Sequence, residues 1–166
     1  MKIQPLLISG IAASLLFSGM ASADGGGHKE VLPDETIIGI SLLSSLITYF
    51  LIPKISKFEL NNEQRLVSSL IMFTVVVHAI LGIDDLKLLA GAAGFLGFGV
   101  VFFVLEIPIV ENNRKNLSYL FTVYTLAIVI FYVYLHPDLM KDGSYDLVGI
   151  LTKISEIGII GLTLKR

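Results

Sequence analysis

The chain has 166 residues, 54% hydrophobic and only 16% charged, with a mean hydropathy of +0.81. Soluble domains average about 25% charged residues, so this balance places the protein in a membrane. Without Cys there are no disulfide frameworks, thiolate metal sites or Cys nucleophiles, and a formal net charge of −2 gives nucleic acid no basic field to bind.

The first segment reads as a targeting signal. Lys2 supplies a positive start, residues 5–17 an apolar stretch, and Ala21-Ser22-Ala23 the small-residue cleavage pattern. Signal peptide 1–23 is therefore expected to be removed, leaving a short extracytoplasmic segment, 24–35, that begins at Asp24. The rival reading is an uncleaved anchor, because residues 3–23 are nearly long enough to span. After this come five apolar runs, each close to the roughly 20 residues needed to cross a bilayer. The first covers 36–52, opened by Pro33, Asp34 and Glu35 and closed by Pro53. The second covers 65–83 and the third 87–109, with Pro108 near its exit. The fourth covers 117–135 and ends at His136-Pro137, and the fifth covers 146–164. The expected fold is all-α: a polytopic five-helix transmembrane bundle in one domain, 36–166. Short connections make consecutive helices antiparallel neighbours.

Basic residues set the expected orientation. Lys54, Lys57, Arg65, Arg114 and Lys115 occupy the loops on one side, joined by Lys165 and Arg166. The other side collects acidic residues such as Asp34, Asp84, Asp138 and Asp146. With the signal peptide, this gives a multi-pass protein of the cell membrane with its N-terminus outside and its C-terminus cytoplasmic.

The fifth run holds the main candidate site. Lys153 and Glu156 interrupt it, three residues apart, opposite in sign and on one helical face. Charges at bilayer depth are costly and face protein or water. Gly149, Thr152, Lys153, Glu156 and Thr163 form the expected polar stripe, with Leu151, Ile154, Ile159 and Leu162 facing elsewhere. The pair reads either as a structural ion pair that orients the helix or as a proton or ion relay. His78 lies six residues before Asp84, roughly 9 Å below its helix end, at a depth similar to Lys153. The two can meet if the second and fifth helices are neighbours. Thr74, one turn away, shares its face. His78 reads as a hydrogen-bonded core histidine, or else as a proton carrier or metal ligand.

The third run carries Ala90, Ala93, Gly94 and Gly97, small residues four apart of the kind that let membrane helices approach closely, within the chain or with a partner. Glu106 is expected to snorkel toward Arg114 or Lys115. Tyr residues near the ends of the fourth run fit an interfacial belt, while Tyr124 is deeper and needs a polar partner. His78, His136 and Asp138 are candidate ligands for an outward-facing copper or other divalent metal, although no cofactor is required. No catalytic triad, carboxylate pair, P-loop or dinucleotide fingerprint marks an enzyme.

His78-Ala79-Ile80-Leu81-Gly82, residues 88–97, the Arg114-Lys115 turn and Lys153 with Glu156 together resemble small archaeal multi-helix membrane proteins of unassigned activity. The resemblance covers about residues 65–166 and implies a fold without a reaction. The signal, acidic exterior and absence of Cys also look like small proteins of ammonia-oxidising archaea, some of them accessory subunits of the copper-dependent ammonia monooxygenase. That likeness implies a subunit that does not hold the catalytic copper, since no histidine cluster with copper geometry is visible. The leading expectation is therefore a non-catalytic accessory or scaffold subunit, with the lipid bilayer and membrane-protein subunits as partners. The alternative is a small proton, ion or solute transporter using the polar face of the last helix, and the third an outward-facing metal site.

Overall fold

A computed structural model describes residues 32–135, 140–141 and 144–165. The expected signal peptide, His136 and Asp138 lie outside the described residues. In chain order the elements are α1 (Asp34–Ile55), α2 (Asn62–Leu81), α3 (Leu86–Phe103), the short α4 (Pro108–Asn112), α5 (Arg114–Leu135), strands β1 (Met140–Lys141) and β2 (Ser144–Tyr145), and α6 (Leu147–Leu164). The five longer helices are all long and apolar enough to cross a membrane. The two-residue antiparallel ladder of β1 and β2 is the only strand pairing among the described residues.

Local chemistry fixes the helix starts. Asn61 and Gln64 form a reciprocal capping box at α2. Asp85 accepts from the Lys87 amide at the head of α3, and Asp146 does the same for Gly149 at the head of α6. Several ends shift by two or three residues, and two at prolines differ for a reason the structure shows. Pro53 does not close α1, which continues to Ile55. Proline removes only one helical hydrogen bond, and so near the end Ser56 N still reaches Ile52 O at 2.9 Å. The third helix stops at Phe103 instead of reaching residue 109. Pro108 holds Ile107 in an extended conformation (φ −116°, ψ 115°) and opens α4 instead.

Apolar side chains turn outward as well as inward: Leu42 is 56% exposed and Phe50 63%. Such a surface suits lipid, where every backbone polar group is satisfied within its own helix. α2 is central and packs against α1, α3 and α6, while α5 runs along α6. Ile37, Val77 and Val148 meet where α1 and α6 begin and α2 finishes, here termed the Asp146 end. At the opposite, Lys165 end, the Lys165 ammonium contacts Glu63 at 2.8 Å, and this hydrogen bond and charge raise the Lys165 pKa. The helices therefore alternate in direction. Rings fill the space between α3 and α5, where Phe95 and Phe98 meet Phe121 and Tyr124.

Gly82 caps α2 and lets α3 turn back against it. A Cβ at this position would lie 2.5 Å from Leu89 N, 2.6 Å from His78 O and 2.9 Å from Leu89 Cα, all backbone atoms. Gly82→Ala is expected to destabilise the bundle by about 1–3 kcal/mol, in the range of overpacking substitutions. Unfolding in detergent measures this, and an unchanged midpoint would mean that the α2–α3 turn yields freely.

Candidate functional site

Seven residues make almost two helical turns, so positions seven apart return to nearly the same face. On α6 this brings Val148, Gly149, Thr152, Lys153, Glu156 and Ile159 to the buried side. Ile159, expected to face elsewhere, is 0% exposed because it repeats Thr152 at a spacing of seven. Ile154 does face outward, at 60% exposure. Taking 1.5 Å per residue, Lys153 lies about 10 Å and Glu156 about 15 Å from the Asp146 end, the latter near the middle of a roughly 30 Å hydrocarbon layer.

Glu156 is completely enclosed. Its Oε2 accepts a hydrogen bond from Lys153 Nζ at 2.7 Å. From α2, His78 Nε2 comes within 3.8 Å of Glu156 Oε1, too far for a direct hydrogen bond. His78 Nδ1 lies 2.9 Å from the Thr74 carbonyl oxygen, and the imidazole stacks on Phe95 of α3 with centroids 5.9 Å apart. Toward the Asp146 end, the Lys153 ammonium sits over the Tyr132 ring, 5.1 Å from its centroid. Tyr132 in turn donates to Asp146 Oδ2 at 2.8 Å. A track of polar groups thus runs from Asp146, at one end, to Glu156 in the middle. Beyond Glu156, toward the Lys165 end, the interior includes Ile159, Ile71, Phe98 and Phe121, together with buried Ser68, Ser69 and Thr122, whose hydroxyls pair with Gln64 O, Ser45 and Ser118 O.

Of the four intramembrane polar residues singled out in the sequence, His78, Lys153 and Glu156 converge. Thr152 is buried beside them, but its hydroxyl donates to Val148 O of its own helix at 2.7 Å. Asp146, Tyr132 and Phe95 were not marked as site residues by the sequence. The Asp146–Tyr132 contact depends on the path of the chain between α5 and α6, which no spacing rule supplies. Gly149 was marked as polar-stripe filler, and its role is more specific: a Cβ there would collide with Tyr132 OH and Asp146 Oδ2.

The small residues of α3 divide between two faces. Gly94 lies under the Tyr124 hydroxyl, which donates to Gly91 O at 3.2 Å and so provides the partner this deep tyrosine needs. Ala90 is half-buried, whereas Ala93 and Gly97 are exposed, and a Cβ on Gly97 would meet nothing within 4 Å. Arg114 does not serve Glu106: it donates to Phe102 O at 3.3 Å and lies over the Phe58 ring. Among the described residues no three His, Asp or Glu side chains converge as a metal site.

Removing one partner of a buried ion pair leaves an uncompensated charge and costs about 3–5 kcal/mol, whereas replacing both by apolar groups is often neutral. Lys153→Met is therefore expected to destabilise the bundle by that amount, and Lys153→Met/Glu156→Met to recover most of the loss. Equal losses in unfolding measurements would show that lost packing, not stranded charge, sets the cost. Comparison with protein-family models, curated proteins and solved structures returns no match.

Proposed function

We propose that the chain is a multi-pass protein of the cell membrane, N-terminus outside and C-terminus cytoplasmic, that carries protons, alone or with a small ion or solute, along the polar face of α6. The positive-inside rule supports this orientation. One observation carries the functional reading: His78 from a neighbouring helix approaches the fully buried Glu156, which an intrahelical ion pair alone does not require. A pair that only orients its helix is complete with Lys153 and Glu156. Here a third titratable group joins them, and Tyr132 and Asp146 extend the polar track to one end. Ionisable groups placed together inside membrane bundles mark proton and ion pathways.

In this reading Glu156 and His78 exchange the proton, Lys153 offsets the carboxylate charge, and the ring-filled interior closes the path toward the cytoplasm. Reconstituted vesicles with a pH gradient test it. The native protein is expected to dissipate the gradient, and Glu156→Gln to slow this by about a hundredfold or more, the lower end of the range for removing a proton-transfer group. Flux unaltered by Glu156→Gln would remove the carboxylate from the path.

A second reading, a non-catalytic accessory subunit of a larger membrane complex, is favoured by the outward face of Ala93 and Gly97. The open space there suits close approach of another helix. Crosslinkers placed at Ala93 in native membranes are expected to capture a partner if this reading holds, and Gly97→Leu to reduce capture. Recovery of only the uncrosslinked chain would count against it.

A further inference from the structure

A backbone carbonyl can only accept a hydrogen bond, so the His78 nitrogen 2.9 Å from Thr74 O must be the protonated one. In the neutral ring this leaves a bare lone pair on Nε2. Nε2 lies 3.8 Å from Glu156 Oε1, which is itself fully buried and without a hydrogen-bond partner. Two acceptors thus face each other across a gap, while the other carboxylate oxygen is already held by Lys153. A single proton resolves this juxtaposition.

We propose that His78 Nε2 and Glu156 Oε1 form a one-proton binding site, with the proton carried on Nε2 and donated toward Glu156, while Lys153 stays charged throughout. The inference rests on the proposed proton-carrying role and assigns its loading position. Loading takes a proton from hydronium: an Nε2–H bond forms, an O–H bond of hydronium breaks, and water leaves. The empty site combines Lys153⁺, Glu156⁻ and neutral His78, and the loaded site gains one positive charge. Three neighbours favour the loaded form. Glu156 supplies the anion, Thr74 O fixes the ring orientation, and the Phe95 face lies parallel to the imidazolium within cation–π range. The other titratable groups facing the cluster are Lys153 on α6, Asp146 at its N-cap, and Tyr124 and Tyr132 on α5. The nearest charges on α1, Asp34 and Glu35, lie in its first turn at the Asp146 end.

Nitrogen NMR of histidine-labelled protein in lipid vesicles reads this directly, with the His78 signals identified by their loss in His78→Asn. At about pH 8 the proton is expected on Nδ1 alone, and at about pH 5 a second proton on Nε2. Glu156→Gln removes the anion and is expected to reduce the doubly protonated population roughly tenfold at a fixed mid-range pH, while Lys153→Gln removes the opposing cation and is expected to raise it similarly. A disrupted bundle would move both variants the same way, so opposite shifts support the site. Shifts of one sign, no shift, or a neutral ring protonated on Nε2 overturn it. The measurement needs no transport: an intact site without flux removes only the transport reading, whereas flux with an unprotonated Nε2 removes only the site.

Discussion

The buried Glu156 carboxylate is the constraint to which the rest of the interior answers. An isolated ion at that depth would be far too costly, by several kcal/mol even after relaxation. Lys153 must therefore stay on the same face one turn away, which fixes the rotation of α6. With that face turned inward, Ile154 and Ile157 turn to the outside and Ile159 enters the core. α2 is then positioned so that His78 lies opposite the carboxylate, while its other face meets α1 through the Ser45–Ser69 hydroxyl contact of 2.6 Å. Electrostatics and packing thus select the same arrangement.

The two interiors on either side of the cluster differ in kind. Toward the Asp146 end, Ile37, Phe73, Val77 and Val148 pack together, and Tyr132 donates a hydrogen bond to Asp146. Toward the Lys165 end, phenylalanine rings from α3 and α5 stack and tilt against each other and leave the described interior without a polar group reaching Glu156 from that direction. The asymmetry makes the polar track one-ended.

Much of the architecture was legible in the sequence because lipid imposes simple rules. Length and hydropathy identified the five long helices, whereas the capping roles of Asn61, Asp85 and Asp146 emerged only from the structure. Errors arose where short-range chemistry competes with position. Pro53 was read as a stop, but a proline within the last turn of a helix removes too little to end it. Ile159 was read as facing away from the polar stripe, although its spacing from Thr152 puts it on the buried face. The convergence of His78 with Glu156 was only conditionally legible: depth along each helix follows from counting residues, but which helices are neighbours does not. The Tyr132–Asp146 contact was beyond reach, since it depends on how the chain returns between α5 and α6.

The Lys153–Glu156 contact also bears on how the protein meets an electric field. A single charge crossing a membrane exchanges about 2.3 kcal/mol per 100 mV, so a lone carboxylate midway would respond with roughly half of that. Bound to Lys153 at 2.7 Å, Glu156 belongs to a unit of zero net charge, and the membrane voltage exerts almost no net pull on it. The helix can therefore hold two ions at bilayer depth without becoming a voltage sensor.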